Sequence, residues 1–202
     1  FESVFVLNYK FEEFILPSTR ANRLGIAIYS TKVRDEIETD AYVSAIAAVA
    51  NHAIFHGMEV QFFPMELKES ISDDREIIAK IVERVENPAM AYVHEKDMDT
   101  LTHIEMVSKC RIFIGHKTHS IIFGLTVGTP MIALAYHIKT NDFMKQFGLI
   151  DNCINDEELT RDRLITKFDE VLANADTIGE SQYKKSRQLA NVIRDDIASL
   201  FS

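Results

Sequence analysis

Short apolar runs alternate along this chain with longer segments of mixed polarity. Each run is bounded by polar or turn-forming residues, as is typical of strands buried on both faces of a parallel sheet. We therefore predict five strands, over residues 24–30, 58–63, 89–93, 111–115 and 131–136.

The segments between and after these runs have the apolar spacing of helices that cover a sheet. Thr39 and Asp40 are the predicted start of the first helix and Gly57 its end, while Asp97 or Asp99 is expected to cap a helix before residue 111. Further helices are predicted over residues 73–86, from His119 to Gly128, around 141–147, over 156–174 and over 182–201.

Strands that alternate with helices of this length require right-handed crossovers and a mainly parallel sheet covered on both faces. The predicted fold class is therefore α/β, a doubly wound sheet of Rossmann type, formed by residues 24–202. Residues 1–23 combine aromatic residues with Pro17 and are interpreted as a connector or the remnant of an upstream domain.

Composition narrows the function classes. The chain has 202 residues, of which 47% are hydrophobic, so it can bury a sizeable core. A formal charge of −9 argues against a nucleic-acid surface or a polybasic membrane patch. Cys110 and Cys153 have no disulfide or metal spacing and are predicted to be free thiols. Without a signal peptide or an apolar run of about 18 residues, we expect a cytoplasmic protein.

Polar residues follow the predicted strands at the carboxyl edge of the sheet, where ligands bind in folds of this kind. Four of the seven histidines fall in these turns, and histidine suits proton transfer near neutral pH. The alternative is that polar residues collect wherever strands end. The residues expected at this edge are Ser30, Thr31, Lys32, His94, Glu95, His116, Lys117, Thr118, His119, Tyr136, His137 and Lys139.

Thr118 is predicted to be the N-cap of the helix that begins at His119. The free backbone N–H groups of a first helical turn attract anions, and Lys117 precedes this turn directly. Gly124, inside the helix, is expected to allow close packing against a strand or a neighbouring helix, and Gly128 to end the helix.

Several motifs are absent from the sequence. It has no G-x-G-x-x-G and no Walker loop, which disfavours a dinucleotide cofactor. It also has no H-E-x-x-H or C-x-x-C motif, so we predict no catalytic metal and no cofactor. A Ser-His-Asp triad lacks the support of a G-x-S-x-G elbow.

The region from residue 111 to 149 resembles the polysaccharide pyruvyl transferase family. The matching features are a strand ending in Gly115, a basic-x-His triplet at Lys117–His119, Gly128-x-Pro130, Tyr136-x-x-Lys139, Phe143 and Gly148-Leu149. Asp73 and Asp74 before a helix and the apolar run at residues 4–7 are also similar to the family. Arginine is usual in the family where this chain has Lys117, and lysine lacks the two-pronged geometry of a guanidinium.

The resemblance implies one half of a GT-B-like architecture, here the C-terminal half, with a missing N-terminal domain that would contact most of the saccharide acceptor. It also implies phosphoenolpyruvate as donor and transfer of its enolpyruvyl unit to sugar hydroxyls in cell-surface polysaccharide biosynthesis. A lipid-linked acceptor would bring the protein to the inner face of the membrane. By the same resemblance, His119 binds the donor or protonates its methylene, and Lys117 contacts its phosphate or carboxylate. His116, Thr118, Tyr136, Lys139, Ser30 and Lys32 are the further predicted substrate-binding residues, and Arg34 is another source of positive charge.

Two other interpretations stay open. One is a GT-B-type glycosyltransferase domain that binds a nucleotide sugar, although the carboxylates expected for ribose recognition are missing near the fourth and fifth predicted strands. The other is a diverged, non-catalytic binding domain, or a fragment that is inactive when isolated.

Overall fold

Six parallel strands form the central sheet in the computed structural model, which describes residues 3–11, 13–30, 35–68, 72–94, 98–136 and 138–199. In chain order the strands are β1 (Arg23–Ala27), β2 (Glu59–Phe62), β3 (Leu67–Lys68), β4 (Ser72–Asp73), β5 (Ala91–Val93), β6 (Ile112–Gly115), β7 (Met131–Ala135) and β8 (Cys153–Asn155). β3 and β4 pair separately and antiparallel, and the sheet has the order β5-β2-β1-β6-β7-β8.

This order is that of a doubly wound Rossmann sheet, so the predicted fold class is confirmed. All five predicted strands are present with shifts of a few residues at their ends. β8 was not predicted because it has three residues, of which Ile154 alone is fully buried, too short a pattern to show a period. β2 and β5 lie on one side of β1, and β6, β7 and β8 lie on the other, so the direction of winding reverses between β1 and β6.

Seven α-helices connect or cover the strands in the described part of the chain. They are α1 (Glu36–Phe55), α2 (Asp74–Val82), α3 (Thr100–Ser108), α4 (Thr118–Val127), α5 (Ile138–Gln146), α6 (Arg161–Ala173) and α7 (Ala175–Ser199). Short 3-10 helices occupy Ser3–Lys10, Pro17–Thr19, Pro88–Met90, Ile150–Asn152 and Asp156–Glu158.

Several helix starts differ from the predictions, and capping side chains define those of α1 and α3. α1 begins earlier than Thr39, because Asp35 accepts a hydrogen bond from the Glu38 backbone while the Glu38 carboxylate accepts one from Asp35 N. Asp99 caps α3, and Asp97 lies outside the described residues. The last helix begins at Ala175 rather than at residue 182, since the chain passes from α6 to α7 with one intervening residue.

The two faces of the sheet carry separate cores, as the alternation of side chains along β6 shows. Ile112 and Ile114 point into the core beneath α1, α2 and α6, whereas Phe113 points into the core beneath α3, α4 and α7. The 3-10 helix Ser3–Lys10 belongs to the second core, because Phe5 is buried there and its ring stacks on Phe147 with centroids 5.5 Å apart. Residues 3–10 therefore pack as part of this α/β unit.

Two glycines of the α4 region have the predicted structural roles. A Cβ atom on Gly124 would lie 2.0 Å from Met131 Sδ, so this glycine lets α4 approach β7 closely. Gly128 has φ +64° and ends α4 in the left-handed conformation that favours glycine.

Cys110 and Cys153 are free thiols, as predicted. Burial raises the pKa of Cys110 to about 12 and that of Cys153 to about 11, so both stay protonated at neutral pH. Among the described helices, none combines the length and the hydrophobicity needed to cross a membrane.

His94 follows β5 but belongs to the interior of the protein. Its side chain is buried, its ring stacks on Phe63 with centroids 4.6 Å apart, and its Nε2 atom lies 3.0 Å from the Gln61 side chain. Burial, with smaller contributions from His103 and Arg23, lowers the pKa of His94 to about 4.

We predict that His94 makes folding stability depend on pH between about 6.5 and about 4. Since the unfolded chain binds a proton at His94 in this range and the folded chain does not, its contribution is complete above pH 6.5 and is lost as the pH falls towards 4. Urea unfolding of the wild type and His94→Gln at about pH 7 and about pH 5 should show a smaller pH effect in the variant. Equal pH effects in both proteins would contradict this role.

Candidate functional site

The candidate site lies where the carboxyl ends of β1 and β6 meet. The winding reverses between these two neighbouring strands, which opens a crevice at this edge of a doubly wound sheet. β1 leads through Tyr29 to Ser30, and β6 leads through His116 and Lys117 into α4. Side chains that are distant in the sequence are thereby brought to one edge.

A buried carboxylate, Asp74 at the start of α2, organises this crevice. Its Oδ1 atom accepts hydrogen bonds from Ser30 N at 3.2 Å and Ser30 Oγ at 3.0 Å. Its Oδ2 atom accepts from the backbone N–H groups of Met65 at 2.9 Å and Glu66 at 3.0 Å. Asp74 has 0% exposure, and these bonds compensate for its loss of hydration.

Lys117 completes this arrangement, which we call the Asp74 cluster (Ser30, Glu66, Asp74 and Lys117). Lys117 Nζ lies 3.0 Å from Asp74 Oδ2 and 2.9 Å from Glu66 Oε2, and 4.9 Å from the centroid of the Tyr29 ring. Two carboxylates therefore surround one ammonium group. Lys117 holds the start of α4 against α2, and the cluster as a whole is not a site of excess positive charge.

His116 lies beneath the aromatic side chains of the crevice. It has 0% exposure; its Nδ1 atom is 2.9 Å from the Tyr42 hydroxyl and its Nε2 atom is 3.2 Å from Asp156 Oδ1. The His116 ring also makes T-shaped contacts with the rings of Tyr29 and Tyr136, with centroids 6.0 and 5.4 Å away. This position suits a residue that orients the aromatic groups above it.

Tyr136, after β7, is partly exposed and packs against Tyr29 with ring centroids 4.9 Å apart. It borders an acidic cleft of about 280 Å³, lined by Ala135, Tyr136, Ile138, Asn141, Asn155, Asp156, Glu157 and Glu158. The three acids follow β8, the strand that sequence patterning missed. Carboxylates are therefore present beside the fifth predicted strand, contrary to the expectation that this region lacks them.

The start of α4 is displaced by one residue from the prediction. Lys117 is the N-cap and Thr118 the first helical residue, and no side chain makes a capping hydrogen bond there. Ser120 Oγ instead donates to Lys117 O at 2.7 Å. The N–H groups of the first turn thus keep their capacity to bind an anion, and His119 is exposed beside them.

The remaining predicted site residues are distributed as follows. Lys139 is exposed in the first turn of α5, with its Nζ atom 5.7 Å from the centroid of the Phe143 ring. Thr31, Lys32, Arg34, Glu95 and His137 lie outside the described residues. Sequence reasoning missed Glu66, Tyr29, Tyr42 and Asp156 as neighbours of the site. The acidic pair at Asp73 and Asp74 was the one sequence signal that pointed to the buried carboxylate.

Comparison with known proteins identifies relatives for most of the chain. Residues 3–138 match the family model described as Polysaccharide pyruvyl transferase. Amylovoran biosynthesis protein AmsJ of Erwinia amylovora is 31% identical over 117 residues, which cover 52% of this chain and 28% of that protein. The chain thus corresponds to less than a third of that relative's length.

Solved structures support the fold. A Listeria monocytogenes protein described as a UDP-N-acetylglucosamine 2-epimerase is similar with a TM-score of 0.63 and 10% identity, covering 98% of this chain and 53% of that one. Spinosyn forosaminyltransferase SpnP is similar with a TM-score of 0.57 and 17% identity, covering 95% of this chain and 45% of that one. These likenesses show a Rossmann-like α/β fold of the kind found in one half of GT-B proteins.

We predict that the Asp74 cluster is a principal source of stability at the site. Asp74→Ala leaves Lys117 in a poorly hydrated position without its buried partner, and should lower the free energy of unfolding by about 3–5 kcal/mol. Glu66→Gln is the matched control, because Glu66 is partly exposed and should contribute at most about 1 kcal/mol. Urea denaturation measures both, and equal losses in the two variants would refute the central role of Asp74.

Proposed function

Because the chain belongs to the polysaccharide pyruvyl transferase family, we propose that it binds phosphoenolpyruvate and contributes to transfer of the enolpyruvyl unit to sugar hydroxyls. The products are a pyruvate ketal on a saccharide and inorganic phosphate. The relationship to a protein described by its role in amylovoran biosynthesis supports a saccharide acceptor.

The observation that carries this proposal is the uncapped start of α4 at the crevice between β1 and β6. Phosphoenolpyruvate carries a phosphate and a carboxylate, and backbone N–H groups at a helix N-terminus bind such anions. Thr118 and His119 lie in this turn, within the region matched by the family model. His119 is exposed and can meet a ligand held there.

In the proposed reaction, His119 donates a proton to the methylene carbon of phosphoenolpyruvate while positive charge develops at the adjacent carbon. A sugar hydroxyl attacks the adjacent carbon, which carries the phosphate oxygen, and loses its proton. The bond between this carbon and the phosphate oxygen then breaks. A second hydroxyl forms the other C–O bond of the ketal. Of the two hydroxyl protons released, one restores His119 and the other goes to the departing phosphate, so the reaction needs no oxidant or cofactor.

The other predicted residues have supporting roles in this proposal. Lys117 holds the start of α4 in place, because its ammonium group contacts Asp74 and Glu66. Lys139 supplies an exposed positive charge. Tyr136 and the buried His116 shape the adjacent wall of the crevice. Lys32 stays a predicted substrate contact. In this proposal the reaction occurs in the cytoplasm, at the inner face of the membrane when the acceptor is lipid-linked.

A second candidate function is binding of a nucleotide sugar. It is favoured by the acidic cleft beside Tyr136, because carboxylates accept hydrogen bonds from ribose hydroxyls and an aromatic ring can stack on a base or a sugar. In this alternative, the diphosphate would occupy the start of α4 and the nucleoside would lie towards Asp156–Glu158.

We predict that His119→Ala weakens phosphoenolpyruvate binding by about tenfold or more, the loss of one hydrogen bond to a charged group. Isothermal titration calorimetry measures the affinity. His56→Ala is a matched control, because His56 is also an exposed histidine but is the C-cap residue of α1, far from the start of α4. Unchanged affinity in His119→Ala would remove His119 from the site.

Thermal unfolding should separate the two candidate functions. We expect phosphoenolpyruvate to raise Tm more than equal concentrations of inorganic phosphate, uridine diphosphate or guanosine diphosphate, since a ligand stabilises the folded state according to its affinity. A larger shift with either nucleotide would favour the nucleotide-sugar function and contradict pyruvyl transfer.

A further inference from the structure

Three potential metal ligands meet on the surface formed by α1 and α6. His52 lies in the last turn of α1 and His56 is the C-cap residue of this helix, and their ring centroids are 4.6 Å apart. Asp169 lies on α6, with its Oδ1 atom 2.8 Å from His52 Nε2. One ligand atom from each of these residues can be chosen so that all lie within 4.8 Å of one another. We call this group the His52 cluster.

The His52 cluster is separate from the candidate site. α1 begins near the carboxyl edge of the sheet and runs towards the start of β2, so residues at its end lie near the amino edge. Neither the crevice between β1 and β6 nor the start of α4 includes any of these side chains. A ligand here would act independently of phosphoenolpyruvate.

We propose that the His52 cluster binds a divalent transition-metal ion, with Zn²⁺ as the best match. Two imidazoles and a carboxylate are ligands that Zn²⁺ accepts, whereas Mg²⁺ and Ca²⁺ favour sites made of oxygen ligands. Tetrahedral Zn²⁺ places its ligand atoms about 3.3 Å from one another. Small side-chain rotations would lengthen the 2.8 Å distance between His52 Nε2 and Asp169 Oδ1 to this value. They would also shorten the longer distances, of up to 4.8 Å, between the other ligand atoms.

The surroundings favour a defined site with access from solvent. The Phe168 ring meets the His52 ring edge-on, with centroids 5.7 Å apart, and restricts its orientation. His52 also lines a cleft of about 380 Å³ together with residues of α1, Arg84 and Glu86 after α2, and residues at the start of α6. Because His56 and Asp169 are exposed, an ion can reach the cluster from solvent, and a water molecule or another ligand can occupy the fourth position.

A metal at this position would link α1 to α6. In the structure, a hydrogen bond between His52 and Asp169 makes this link, and the ion would replace it with bonds to both helices. Since the unfolded chain does not hold the three ligands together, Zn²⁺ should raise the thermal stability of the folded protein.

The experiment is a competition titration of the intact chain with Zn²⁺ and a chromophoric chelator. The proposal predicts one Zn²⁺ per chain. His52→Ala, His56→Ala and Asp169→Asn should each weaken binding by at least about tenfold, since even residues that only support a ligand contribute about that much. Excess Mg²⁺ should not displace the ion, and Co²⁺ should give the visible absorption of a tetrahedral complex.

His119→Ala serves as the control variant, because it removes an exposed histidine at the opposite edge of the sheet. It should bind Zn²⁺ as the wild type does. Wild-type affinity in a His52→Ala/His56→Ala double variant would overturn the proposal, as would loss of binding in His119→Ala. Thermal unfolding without metal checks that each variant is folded. The outcome is independent of phosphoenolpyruvate binding.

Discussion

The ion pair between the buried Asp74 and the partly buried Lys117 is the interaction on which the candidate site depends. Asp74 accepts hydrogen bonds from Ser30, from the backbone at Met65 and Glu66, and from Lys117, so one carboxylate joins the segments after β1 and β2 to the starts of α2 and α4. A carboxylate without exposure to water must have such partners. Because Asp74 needs these hydrogen-bond donors, the segments that border the crevice are held in place before any ligand binds.

This arrangement separates the charges at the crevice into two regions. The ammonium group of Lys117 faces two carboxylates, which leaves the first turn of α4 and the exposed His119 as the elements that we propose for anion binding. Asp156, Glu157 and Glu158 make the cleft on the other side of Tyr136 acidic. A donor with two anionic groups fits the first region, whereas hydroxyl groups of a saccharide or a nucleoside fit the second.

Much of the fold could be predicted because burial leaves a periodic pattern in the sequence. The five predicted strands are present, and Gly124 and Gly128 have the predicted roles. β8 and the first residue of α4 could not be obtained in this way, because a three-residue strand has no measurable period and a helix start depends on which side chain caps it. The missing β8 also concealed the acidic cleft.

By itself, the sequence determined the fold class and placed some polar residues, such as His116 and Lys117, at the carboxyl edge of the sheet, because local apolar spacing encodes which segments are buried and where they end. The tertiary structure decided which of these polar side chains are paired. Lys117 meets Asp74 across 43 residues, and His52 meets Asp169 across 117. Such partners are chosen by strand order and helix packing, which local sequence patterns do not specify. A residue's position at the edge could therefore be predicted, but its contacts could not.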